Sequence, residues 1–216
     1  MTTRSAPDRR DHRLAPTRRR LAPGDRRREV LDAAIRVLRE RGPDGCRVED
    51  VTAEASTAKG NFYRYFPTWE DLLLAVRDDL LDAYGHDLMQ RYADSTPIDW
   101  WTALDDELDR FVDFQLSLGG LHEAIFHGPA ATARPVETHR SAAFMMSLLL
   151  SAGIADGAFA VVDVEITATL LFDLLHGAAD AISSGMDDEE VRRITRRVFH
   201  RTLAPDERTT RGKGKQ

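Results

Sequence analysis

The run Lys59-Gly60-Asn61-Phe62-Tyr63-Arg64-Tyr65 gathers, in one short stretch, side chains suited to holding a polyanion. Lysine and arginine can bond guanine O6 and N7 or a phosphate, and asparagine can pair with adenine. Tyrosine hydroxyls suit phosphate oxygens, contacts that fix register without reading sequence. Gly60 carries no side chain and would let a helix backbone come close to a base or phosphate. Other reactive groups are less promising. His122-Glu123 with His127 is superficially like a zinc helix, yet a spacing of five puts the two imidazoles well apart around a regular helix, so no metal site is expected. Asp173 and His176 share a helix face but have no nucleophile or metal beside them, and no phosphate-cradling glycine loop or nucleophile elbow appears. Neither catalysis nor a cofactor is expected.

The elements that must position these groups belong to a chain of 216 residues, 42% hydrophobic and 31% charged, too apolar for disorder and too polar for a membrane-embedded fold. The single cysteine, Cys46, excludes an internal disulfide. No apolar stretch follows Arg4, Arg9, Arg10 and Arg13, so a cytoplasmic address is expected. The net charge of −6 conceals a segregation: residues 1–66 carry +6, residues 67–191 carry −19, and residues 192–216 carry +7. An acidic middle of that size repels nucleic acid, which confines any polyanion contact to the front block, with help from the basic end.

Apolar periodicity indicates helices throughout and no strand or internal repeat, an all-α chain. Residues 1–23 are arginine- and proline-rich and read as a disordered arm, and residues 205–216 as a disordered basic tail. Asp25 to Arg41 forms a first helix ended by Gly42-Pro43, followed by two short ones around Val48–Ala55 and Lys59–Phe66. Thr68 with Asp71 resembles a capping box opening a long fourth helix. Thr96-Pro97 is the expected start of a fifth, Leu121 to His127 a sixth, and Pro135 to Ala152 a seventh. An eighth begins near Val164, and a ninth follows Asp187 with acids in its first turn and arginines in its last, as the helix dipole favours. The weakly charged stretch Phe144 to Val162 is interrupted by two glycines and Asp156, and reads as a buried helix end plus loop, not a membrane span.

Three short helices with a tight link between the second and third, then a long helix, is the arrangement of a helix-turn-helix reader. Ala33-Ala34, Leu38, Gly42, Val48, Asp50-Val51, Ala55, the run Lys59 to Pro67, and Asp71-Leu72-Leu73 together resemble the DNA-binding domain of the TetR family of bacterial transcriptional regulators. The resemblance covers residues 26–75. It implies an N-terminal three-helix DNA-binding domain over 24–67 and a C-terminal helical ligand-binding and dimerisation domain over 68–204. Lys59, Gly60, Asn61, Tyr63, Arg64 and Tyr65 would then face DNA from the recognition helix, with Arg28 and Arg47 as further phosphate contacts and Phe62 and Phe66 in the core. Ser56 stands where the family usually has the turn glycine, a cost of about 1 kcal/mol if the backbone there is left-handed. Ala58 stands where a serine or threonine usually caps the recognition helix.

Such a reader binds as a pair on two half-sites. Ile166, Leu170, Leu174, Ala178 and Ile182 form a four-residue ladder, and Val191, Ile194 and Val198 stripe the last helix, more apolar width than one chain covers. Leu170, Leu174, Ala178, Ile182, Val191, Ile194 and Val198 are therefore the expected homodimer contacts, the alternative being that they face their own core. Family members usually hold a small effector among the fourth to eighth helices. Trp101, Phe114, Phe126, Met145 and Phe172, with His122 and His176 as polar groups, are the candidates here, and the acidic body hints at a cationic aromatic ligand.

The expected function is a homodimeric regulator, a repressor that leaves a palindromic site in double-stranded DNA when an effector tilts the fourth helix. Competing readings are a helical-bundle binding or enzymatic protein whose front helices are an interaction module, and a nucleoid-type binder acting through arm and tail.

Overall fold

The computed structural model describes residues 23–93, 99–129, 131 and 135–205. Those residues form α1 (Pro23–Arg41), α2 (Val48–Glu54), α3 (Lys59–Tyr65), α4 (Trp69–Ala93), α5 (Trp100–Ser117), α6 (Gly120–His122), a π-turn (Glu123–His127), α7 (Pro135–Ala155), α8 (Val164–Ser183) and α9 (Asp188–Leu203). No strand occurs among them. Pro23 opens α1; the rest of the arginine arm, Thr96-Pro97 and the tail beyond residue 205 lie outside the described residues.

Helix ends follow local chemistry. The Asp71 carboxylate accepts the Thr68 backbone N–H at 3.2 Å while Thr68 Oγ1 accepts the Asp71 N–H at 3.0 Å, the reciprocal box read from the sequence. Asp163 and Asp187 cap α8 and α9 through the N–H groups of Ile166 and Glu190, both at 2.9 Å. At α5 the expectation needs correction. Asp99 is the N-cap, accepting from Trp101 and Thr102 at 3.1 and 3.3 Å, and the helix starts at Trp100 and not at Pro97. An aspartate in β-type backbone just ahead of the first turn satisfies two otherwise orphaned donors. The sixth helix is likewise only a single α-turn, Gly120–His122, continued as a π-turn.

Two cores result. The head core takes Val30, Ala34, Val37 and Leu38 from α1, Val51 from α2, and Phe62 and Phe66 in and after α3. It continues past residue 67 through Leu72, Val76 and Leu80 of α4, and receives Leu121 and Ile125 from α6 and the π-turn. The body core is formed by α5, α7, α8 and α9 around Leu104, Leu108, Leu150, Leu175, Phe199 and Leu203. Among the described residues, some basic side chains of α9 meet acids of α5 beside this core. Arg192 reaches Asp109 at 3.3 Å and Asp113 at 2.6 Å, Arg196 reaches Asp109 at 2.5 Å, and His200 reaches Asp105 at 2.7 Å. These α9 side chains therefore serve internal packing instead of a second polyanion surface. Between α7 and α8 a loop replaces the weakly charged continuation of α7, and no helix among the described residues is long and apolar enough to cross a membrane.

Candidate nucleic-acid interface and cavity

The link from α2 to α3 is a full Schellman closure. Ser56 N–H bonds Ala53 O at 3.0 Å and Thr57 N–H bonds Thr52 O at 2.9 Å. This closure requires a left-handed residue at position 56, where Ser56 has φ of +46°, the one positive φ at a non-glycine among the described residues. The strain anticipated for serine at the glycine position is therefore present, about 1 kcal/mol. Ala58 supplies no side-chain cap to α3. Its carbonyl accepts the Asn61 N–H at 2.9 Å, and the Asn61 amide donates to Thr57 Oγ1 at 3.0 Å, tying the helix start to the turn.

Phe62 is fully buried and Phe66 nearly so, and these two rings orient α3. Lys59, Gly60, Tyr63 and Arg64 are exposed, whereas Asn61 and Tyr65 are half-buried. Tyr63 packs edge-on against Phe62 with ring centroids 5.3 Å apart and remains exposed. A Cβ added at Gly60 would meet nothing within 4 Å, so the backbone lies open at that point. Lys59 Nζ lies 2.5 Å from Glu49 Oε1, and each charge shifts the other: the lysine is held above its usual range and the glutamate below. Arg47 is exposed at the start of α2, its N–H bonded to Asp50 at 2.9 Å. Arg28 is engaged differently. It pairs with Asp32 at 2.6 Å and with Asp79 of α4, two carboxylates that raise its guanidinium above the normal range and lace α1 to α4.

Beside the head, α4, α5, α7 and α8 enclose a mostly apolar cavity of about 720 Å³. Its walls include Tyr84, Gly85, Glu107, Phe111, Met145 and Phe172. Of the side chains expected to bind an effector, only Met145 and Phe172 line it. Trp101 instead packs against Phe159 and His200, with centroids at 4.9 and 4.6 Å, and Phe114 stacks behind Tyr84 at 4.8 Å. Phe126, His122 and His176 form a separate cluster with His127 and Asp180. Among the cavity residues the sequence did not single out is Glu107, which is buried, accepts from the Tyr84 hydroxyl, and pairs with Arg91 at 2.9 Å. A signal existed: Glu107 interrupts the apolar face of Leu104, Leu108 and Phe111 at helical spacing. Burial and the neighbouring carboxylate push the Tyr84 phenol far above its usual range, so its hydroxyl remains a donor.

The expected wide separation of His122 and His127 is not found, because the π-turn closes five residues onto one face; their ring centroids are 5.3 Å apart. Burial lowers the pKa of the His122 imidazole. On α8 and α9 the single-chain surface leaves Leu170 64%, Leu174 37%, Ile194 48% and Val198 38% exposed. Ile166 at 61% continues that stripe, while Ala178 is buried, Ile182 packs on the body core, and Val191 is half-buried.

Residues 30–76 match the family model of bacterial regulatory proteins of the tetR family. The chain is 30% identical over 175 residues to the HTH-type transcriptional regulator CymR of Pseudomonas putida, covering 77% of this chain and 83% of that one. It is 35% identical over 81 residues to the uncharacterized HTH-type transcriptional regulator YvdT of Bacillus subtilis, where it spans only 41% of the relative's length. A solved structure of RolR in complex with resorcinol superposes with a TM-score of 0.68 at 24% identity, covering 88% of this chain and 92% of that one. An outward-facing α3 on a helix-turn-helix head, the all-helical body and this similarity over most of both chains lead to one conclusion: the chain belongs to the tetR family of bacterial regulatory proteins and is a helix-turn-helix transcriptional regulator.

Proposed function

We propose that the protein is a homodimeric repressor released from a palindromic DNA site by a small aromatic effector. The observation that carries this reading is the double duty of α4. Its residues Leu72, Val76 and Leu80 are head core, and its continuation through Leu81, Tyr84, Gly85 and Leu88 is cavity wall. An occupant that prefers one tilt of α4 therefore acts directly on the orientation of α3, and only that difference in affinity shifts the equilibrium.

On the DNA side, the exposed Lys59, Gly60, Tyr63 and Arg64 are the leading contacts, with Arg47 flanking them. Asn61 and Tyr65 contribute from half-buried positions. Arg28 acts through its ion pairs, holding α1 on α4. The exposed stripe Leu170, Leu174, Ile194 and Val198 supports a four-helix interface between two copies of α8 and α9. Exposed Gly177 allows close backbone approach there. In the cavity, aromatic and methionine walls suit a flat ring, and Glu107, which accepts from Tyr84, has lone pairs left to accept from a hydroxyl on it. Resorcinol bound to RolR is a ring of that kind. Arg91 neutralises Glu107, so any attraction for a cation expected from the acidic body would come from Asp82 at the cavity wall and not from Glu107.

The test is fluorescence anisotropy with duplexes from the promoter of its own or an adjacent gene, across a salt series. Specific binding should weaken steeply with salt, and Lys59→Ala should reduce the magnitude of the log–log slope by about 1. Phenols should release the DNA. Indifference to duplex sequence at every salt concentration, or full activity of Lys59→Ala together with Tyr63→Phe, defeats the proposal.

A further inference from the structure

We infer that His122, His127, His176 and Asp180 form a binding site for one first-row transition-metal dication of the zinc type. The site bridges the π-turn and α8, is separate from the effector cavity, and does not depend on the DNA-binding assignment.

Geometry is the first argument. In a regular α-helix, residues five apart diverge by about 140° around the axis. The π-turn removes that divergence and brings His127 to His122. From the facing helix, His176 and Asp180 stand four apart on one side of α8, and the His176 ring stacks on that of His122 at 5.2 Å with 26° between planes. Three imidazole Nε2 atoms converge on one carboxylate. His127 lies 3.1 Å and His122 3.6 Å from Asp180 Oδ1, and His176 lies 3.9 Å from Oδ2. One donor atom from each of the four residues falls within 4.8 Å of all the others. Donors of a tetrahedral zinc ion are about 3.3 Å apart, so side-chain adjustments of about 1 Å would complete the shell.

The second argument is independent. His122 is 6% exposed, and its Nε2 is a buried polar atom with no hydrogen-bond partner, aimed into the cluster. Leaving such an atom unpaired is unfavourable, and a ligand bond would offset that cost. Ligand type sets the class of ion. Three nitrogens and one carboxylate suit zinc, cobalt or nickel, whereas magnesium and calcium require oxygen-rich shells. An outer support is within reach, since Gln115 is buried with its amide Nε2 3.3 Å from His176 Nδ1 and its Oε1 without a partner. With its oxygen turned to that nitrogen it accepts the Nδ1 proton and leaves the Nε2 lone pair facing Asp180. His127 and Asp180 are about one-third exposed, which gives an ion a path from solvent. The opposite side of the same segment, Leu121 and Ile125, is part of the head core, so a bound ion would pin α8 to the reader's interior.

The experiment uses chelator-treated, tag-free, full-length protein titrated with zinc and, in parallel, with cobalt followed by its visible ligand-field bands. One ion per protomer should bind, zinc should raise Tm, and cobalt should show the intense bands of four-coordination. His127→Ala and Asp180→Asn remove partly exposed groups and should leave the fold intact by circular dichroism, while weakening zinc binding at least about tenfold. His200→Gln, outside the cluster, should bind zinc as the parent does. Absence of saturable binding, or parental affinity in both His127→Ala and Asp180→Asn, overturns the proposal.

Discussion

The head and the body are both helical and both have fully buried centres, yet they are packed to different ends. In the head, Phe62 and Phe66 fill the space between α1, α3 and α4, and the polar atoms of the α2–α3 turn are engaged in a Schellman closure. In the body, α4, α5, α7 and α8 line about 720 Å³ of cavity and bury Glu107 and Gln115. Dense packing resists rearrangement, and an interior that contains a void repacks at lower cost. Under the proposed function the reader moves as a unit with α4, and an effector acts on the cavity-lined half of that helix.

The contrast can be broken by equivalent truncations. Phe62→Ala should cost about 3–5 kcal/mol in denaturant unfolding and abolish DNA binding, because the surrounding core cannot collapse. Phe172→Ala on the cavity wall should cost less, since one side of that ring already faces the void. Equal losses would mean that the body is as tightly packed as the head.

Next in size is the pairing of two copies. Leu170→Asp introduces like charges across a twofold contact and should give monomers by sedimentation at micromolar concentration, with specific DNA affinity reduced at least about tenfold. A dimer that persists would move the interface away from the exposed α8–α9 stripe. Backbone strain provides a smaller test within the head. Ser56→Gly relieves the left-handed serine and should stabilise the protein by about 1 kcal/mol without altering DNA preference. The smallest expected change, in the body, is the most informative about function. Gly85 sits within the 25-residue α4, where glycine costs about 0.5–1 kcal/mol relative to alanine. A Cβ there would lie 3.5 Å from Met145, an ordinary contact on the cavity wall. Gly85→Ala should therefore raise Tm while weakening release by an effector; gain of stability with unchanged release would remove α4 from the response.

The head was legible because its information is local. The run through Phe62 and Phe66, the Thr68–Asp71 box and the Gly42 break are fixed by neighbours a few residues away, and each appears in the structure where the sequence indicated. Serine at position 56 was recognisable as a strained substitution for the same reason, since the closure of α2 demands a left-handed residue there. Arg28 was less transparent: the residue that matters to it, Asp79, is distant in sequence and meets it only when α1 packs on α4.

The sequence by itself determined an all-helical chain, the caps of α4 and α9, the start of α8, the buried and outward faces of α3, and the apolar stripe along α8 and α9. These follow from periodicity and from side chains bonding nearby backbone, which act over one or two turns. Tertiary structure alone decided which aromatic residues wall the cavity, that Glu107 is buried against Tyr84 and Arg91, and that the basic α9 answers the acids of α5. It also decided that His122 and His127 meet, because a π-turn changes the residues per turn and α8 supplies the opposing side chains. Contacts of that kind depend on how separate helices cross, and no spacing within a single segment specifies the crossing.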